Sequence, residues 1–176
     1  MPKIITISGK ARHGKDTFAS SLEENLNMNG YNTYIYHYAD PVKMCATNYF
    51  DWDGKKDNHG RTLLQNIGTE RARARDENTW VNIGKNIIEN VFHDAEYVII
   101  PDARFPNEID CWEDLITIKV VRDNFENDLN ETQRLHASET SLDDYVFDLE
   151  VHATSLSDLI ESADVISDYI INSRGK

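Results

Sequence analysis

Short runs of apolar residues alternate along the chain with longer segments in which apolar residues recur every three or four positions. Ile4, Ile5 and Ile7 form the first run, and Phe18, Ala19, Leu22 and Leu26 follow at helical spacing, predicting a strand and then a helix that Gly30 closes. Residues 33–38 are β-rich and predict a second strand. Pro41 in a first turn, with Asp40 as cap, opens the next helix, and residues 51–60 read as an exposed loop. A helix through Leu63, Leu64 and Ile67 carries Arg71, Arg73 and Arg75; positions 71 and 75 share one face and 73 lies elsewhere. Asp76 and Glu77 open another helix, whose buried stripe holds Trp80, Ile83, Ile87, Ile88 and Val91, so Trp80 reads as core.

Tyr97, Val98, Ile99 and Ile100 show no polar alternation, the mark of a central parallel strand covered on both faces. A helix with Ile109 and Trp112 leads to a fourth strand at 116–121. Residues 123–144 are polar and weakly periodic, which predicts a lid or binding loop. Residues 146–151 alternate as a fifth strand, and Ser155 caps a last helix with Leu156, Leu159, Ile160, Ala163, Ile166 and Ile170 inward. Strands alternating with helices predict an α/β fold of three layers, a five-stranded parallel sheet between helices.

The stretch between the first strand and first helix has Gly9, four residues, Gly14, Lys15, Asp16 and Thr17. Glycines let backbone N–H groups converge on a polyphosphate, the helix adds its positive end, and Lys15 supplies a mobile cation. An ordinary glycine turn is the bland alternative. The Ser or Thr that usually follows the lysine and ligates Mg²⁺ is Asp16, with the hydroxyl one place later. A second acid, Asp102, stands just past the buried third strand, where α/β sheets place ligand chemistry.

Composition narrows the partners. The 176 residues suit one domain, and the two cysteines, Cys45 and Cys111, have no metal-site spacing and read as reduced thiols of a cytoplasmic protein. The first strand begins at once and no apolar run approaches 18 residues, so neither a signal peptide nor a membrane span is expected. Net charge is −13, yet residues 1–80 hold 11 Lys/Arg against 10 Asp/Glu while residues 81–176 hold 7 against 21. Such an acidic surface disfavours nucleic acid and membranes, and cations kept within it read a small anionic ligand. A second copy of the chain as partner is left open.

The strings Gly-Lys-Ala-Arg-His-Gly-Lys-Asp-Thr, Ala-Asp-Pro-Val-Lys, Leu-Leu-Gln-Asn-Ile-Gly-Thr-Glu, Ile-Pro-Asp-Ala-Arg and His-Ala-Ser-Glu occur in that order. From residue 3 to about 160 the chain resembles the deoxynucleoside monophosphate kinases of bacteriophages, a branch of the P-loop nucleoside monophosphate kinases, whose loop also reads Gly-Lys-Asp-Thr. The resemblance implies a P-loop NTPase fold and transfer of the γ-phosphoryl of ATP, with Mg²⁺, to a deoxynucleoside 5′-monophosphate in the host cytoplasm. It divides the chain into a core (1–39, 94–122, 145–176), a helical acceptor-binding region (40–93) and a lid (123–144). An acceptor phosphate is already largely dianionic at neutral pH, so the site needs cations and dipoles rather than a general base.

On this reading Gly9, Lys10, Arg12, His13, Gly14, Lys15, Asp16 and Thr17 hold ATP. His13 has the alternative of merely pointing outward. Asp16 and Asp102 are the candidates for Mg²⁺, directly or through its waters. Asp40, Lys43, Gln65, Thr69, Glu70 and Arg73 fall in the acceptor helices, and the resemblance implies that Arg73 and Arg104 grip the acceptor phosphate. Arg122 and Arg134 would close from the lid side, with Arg134 catalytic, and His136 is assigned to the substrate. Glu108, four residues after Arg104, is expected to salt-bridge it. Two competing functions keep the loop: a P-loop kinase of another small phosphorylated metabolite, and a nucleotide-binding regulator without an acceptor.

Overall fold

The computed structural model describes residues 1–127 and 129–173. Five parallel strands, β1 (Lys3–Ser8), β2 (Thr33–Ile35), β3 (Tyr97–Ile100), β4 (Leu115–Arg122) and β5 (Leu149–Ala153), form one sheet in the order β2-β3-β1-β4-β5. β3, the strand without polar alternation, lies beside the central β1, and Ile5, Ile7 and all four residues of β3 are sealed from solvent. The three-layer α/β expectation is met.

Helices α1 (Lys15–Met28) and α8 (Leu156–Ser173) cover one face. Phe18, Leu22 and Leu26 from α1 meet Leu159, Ala163 and Ile170 from α8 over Ile5, Ile7 and Ile118. The opposite face is covered by α2 (Ala39–Phe50), α3 (Asn58–Gln65), α4 (Thr79–Asn90) and the short α5 (Pro106–Ile109). There Val42, Trp80, Ile88, Ile109 and Trp112 pack on Ile4, Val98 and Ile100. Two four-residue helices, α6 (Glu131–Arg134) and α7 (Ala137–Thr140), stand in the polar segment between β4 and β5.

Several expected boundaries move. The second strand stops at Ile35, because the next residues turn toward the acid that follows β3. The fifth strand begins at Leu149 rather than at position 146: the Asp148 carboxylate accepts hydrogen bonds from the backbone N–H and hydroxyl of Thr117, and only beyond that clamp does the ladder run. Val146 is 88% exposed. Ser155 does begin the last helix, exchanging hydrogen bonds with Asp158, but Leu156 and Ile160 face solvent while Ser167 lies inside.

The helix through Leu63 and Ile67 is not uniform. After Gln65 the chain widens into π-helical turns over Asn66–Arg73. The wider winding turns Arg73 inward and leaves Arg71 and Arg75 exposed. The Gly68 carbonyl accepts a hydrogen bond from the Trp80 indole at 2.7 Å, fastening this stretch to α4.

Candidate active site

The loop between β1 and α1 is shaped by two glycines. Gly9 has φ +147°, and a Cβ there would stand 2.3 Å from the Val120 carbonyl oxygen of β4. Gly14, at φ +86°, would drive a Cβ to 2.4 Å from a Leu159 methyl. Both conditions exclude a side chain, so the loop lies against the sheet end and opens α1 toward its concave side.

Inside the curve the Lys15 ammonium donates to the carbonyls of Gly9 at 2.8 Å and Lys10 at 2.9 Å. Burial, followed by the charge of Arg104, pushes its pKa down to about 8. Phosphate oxygens beside it would draw the proton back. We therefore expect ADP binding at pH 8 to take up roughly half a proton. Calorimetry in buffers of different ionisation heat reads this directly, and zero uptake would separate Lys15 from the phosphates.

His13 turns in rather than out: its Nδ1 accepts the Arg122 backbone N–H at 3.0 Å, and its ring meets Phe125 edge-on. Burial and then Lys15 lower its pKa, keeping it neutral as that bond requires. The Arg122 guanidinium lies over the Phe125 ring at 4.3 Å. Asp16, with a side chain 82% exposed, is hydrogen-bonded to His37 Nε2 at 3.3 Å, which lowers the acid's pKa and raises the histidine's. His37 was not singled out in the sequence; it lies at the end of the β-rich run, where only the chain reversal brings it to the loop.

Asp102 is committed to the backbone. Its oxygens accept N–H groups of Tyr38 at 2.9 Å and Ala39 at 2.8 Å. The acid after β3 thus caps α2, the function expected of Asp40. Asp40 instead pairs with Lys43 at 2.7 Å. Magnesium needs only one or two protein carboxylates beside phosphates and water, and among the described residues no cluster of three or more metal-ligating side chains exists. Asp16, with free lone pairs at the mouth of the loop, fits that requirement; Asp102 retains one lone pair per oxygen for a water.

A cavity of about 220 Å³ opens beside Ala11 of the loop, between α2, the α3 and π-helical stretch, and the residues after β3. Lys43, Gln65, Thr69, Arg73, Asp102 and Arg104 line it, among apolar walls of Val42, Leu64, Trp80 and Phe105. Other expected residues stand elsewhere. Glu70 meets His136 Nε2 at 3.4 Å, and His136 caps α7 by accepting the Ser138 N–H, so neither lines the cavity. Arg134 donates to the Asn127 carbonyl and also lies outside both cavities.

The arginine pairing is the main correction. Glu108 does not bridge the Arg104 guanidinium: its carboxylate accepts the backbone N–H of Arg104 at 2.8 Å and of Phe105 at 3.3 Å, and pairs with Arg73 at 3.1 Å. Arg73 donates further to Asn107 at 2.7 Å and stacks over Phe105 at 3.7 Å, so its fork is largely engaged. The Arg104 guanidinium goes to Glu139 and to the Ser138 carbonyl. Glu139, though part of the His-Ala-Ser-Glu string, was not among the expected site residues. It lies 35 positions from its arginine in a weakly periodic segment.

Burial pushes the Glu108 pKa up to about 7, against the pull of its N–H donors and Arg73. A folded value above the unfolded one stabilises fully below about pH 4.3, and that contribution is lost as pH rises through 7. The melting temperature should therefore fall between pH 5 and 8, and Glu108→Gln should flatten that fall. An equal slope in both proteins would assign the pH dependence elsewhere.

A second cavity, of about 250 Å³, lies on the other side of the Arg104–Glu139 pair, under residues 138–147 and against Gly9, Lys10 and His13. Among the described residues no helix is long and apolar enough to cross a membrane.

No protein-family model matches the chain, and no curated protein matches it. Solved structures do. One is a cysteine-to-alanine mutant of the Mycobacterium tuberculosis APS kinase CysC, 13% identical with 96% of each chain covered and a TM-score of 0.46. Another is that kinase in complex with AMPPNP and APS, 12% identical over 99% of this chain and 98% of the other, with a TM-score of 0.47.

Proposed function

We propose that the protein transfers the γ-phosphoryl group of ATP to a deoxynucleoside 5′-monophosphate. The observation that carries this reading is the cavity that opens directly beside the phosphate loop, with apolar walls and with both cations and acids on its lining, Arg104 and Lys43 among the cations. A hydrolase or regulator has no need of a second, ligand-sized space next to the loop. An acceptor base would lie against Trp80, Phe105 and Leu64, and its phosphate would point toward Arg104 and Ala11.

In this mechanism the loop N–H groups and Lys15 hold the ATP phosphates, and Arg104 gathers the acceptor phosphate toward them. Holding two anions in line supplies most of the rate, because both arrive already charged. Lys43 adds a cation on the acceptor side. Asp16 and Asp102 would hold Mg²⁺, directly or through its waters, and the ion would supply positive charge to offset that of the phosphates. The segment from α7 to Asp143, held to Lys10 and Ala11, would cover the loop and keep water out.

ADP release measured with ATP and a panel of acceptors tests the assignment. Deoxynucleoside monophosphates should stimulate it strongly. Release that no monophosphate changes would leave an ATPase or a regulator, and stimulation only by a different phosphorylated metabolite would move the acceptor class.

A further inference from the structure

The phosphate loop already holds an anion, and it belongs to the chain itself. The Glu139 side chain is only 7% exposed. One of its oxygens accepts the Ala11 N–H of the loop at 3.1 Å, and the other is paired with the Arg104 guanidinium. The main chain of the same residue accepts a hydrogen bond from Lys10 Nζ, which also pairs with Asp143. The charge of Glu139 counters the downward push on the Lys15 pKa. A loop amide, a guanidinium and a nearby ammonium are the donors a phosphoryl group uses, here filled by a carboxylate.

A donor N–H aimed at one carboxylate oxygen cannot at the same time serve a phosphate oxygen. The Ser138 carbonyl accepts from Arg104 as well, at 2.9 Å, so α7 is held over the loop as a unit. We infer that Glu139 is a resident anion of the phosphate loop, one that an incoming polyphosphate must displace, and that its displacement lifts α7 from the loop. The inference rests on the phosphate-loop reading above. It makes phosphate binding and release of the 137–143 segment one event, with an apparent affinity reduced by the fraction of time the carboxylate occupies the seat.

Inorganic tripolyphosphate, titrated calorimetrically at low salt, is the probe. Glu139→Gln should bind it on the order of 10-fold more tightly than the unaltered protein, and Lys15→Ala should abolish the binding in both backgrounds. Equal or weaker binding by Glu139→Gln overturns the proposal and makes Glu139 a positioning residue for Arg104. No binding by either protein overturns the phosphate-loop reading itself. Should Glu139→Gln not fold, hydrogen exchange on the unaltered protein decides: backbone amides of residues 137–143 must lose protection when tripolyphosphate binds, and unchanged protection refutes displacement.

Discussion

Lys15→Met lowers phosphoryl transfer by roughly 10³-fold, the effect of removing a preorganised cation from charge that develops in the transition state. The fold should not suffer. Lys15 sits in an environment that disfavours its protonated form, beside Arg104 and away from water, so its removal relieves a penalty while it deletes two hydrogen bonds to loop carbonyls. A melting temperature within a few degrees of the unaltered protein, alongside lost turnover in the coupled ADP assay, is the expected pair of results. Turnover near the original level would refute the assignment of the loop to phosphate.

Arg73→Ala should act in the opposite way, on stability. Its side chain is 11% exposed and its partner's 5%, and the pair is tied to Asn107 and stacked on Phe105. Removing Arg73 deletes its bonds to Glu108 and Asn107 and its stacking on Phe105, while Glu108, with a pKa already raised to about 7, takes up a proton; the lost charge-assisted bonds amount to about 3 kcal/mol. For a protein of this size that is a fall of roughly 6–12 °C in melting temperature. Arg73 lines the proposed acceptor cavity, so the monophosphate constant should move as the wall loosens, while Arg104→Ala should carry the greater loss of acceptor efficiency. An unchanged melting temperature with a selective loss of acceptor binding would return Arg73 to the phosphate-gripping role the resemblance implies.

The contrast between these two residues shows what was legible in the chain. The place of Lys15 in the fold could be read because it depends on neighbours in sequence: a strand, two glycines and a helix start. The same holds for β3, whose four apolar residues can only be central, and for α1. Arg73 and Arg104 could not be sorted from spacing. Their partners are chosen by how the residues after β3 fold back: Glu108 turns to the backbone of Arg104 and leaves that guanidinium for Glu139. The π-helical winding that swings Arg73 inward breaks the 3.6-residue period on which face assignments depend. Val146 was read as strand because alternation cannot see the Asp148–Thr117 clamp that sets where β5 begins.

Asp102 joins the end of β3 to the first turn of α2 through both of its oxygens. That makes the near end of α2 the pinned end of the helix, at the wall of the cavity that Asp102 lines. The helix has 12 residues and so reaches about 18 Å; a tilt of about 10° about the pinned end carries its far end by about 3 Å while the end beside Asp102 hardly moves. Val42 and Lys43, one turn from the pinned end, are the α2 residues on the cavity wall, whereas Phe50 stands at the far end of the helix, outside it. A shift confined to the far end of α2 would thus leave in place the part of the cavity wall that this helix shares with Asp102.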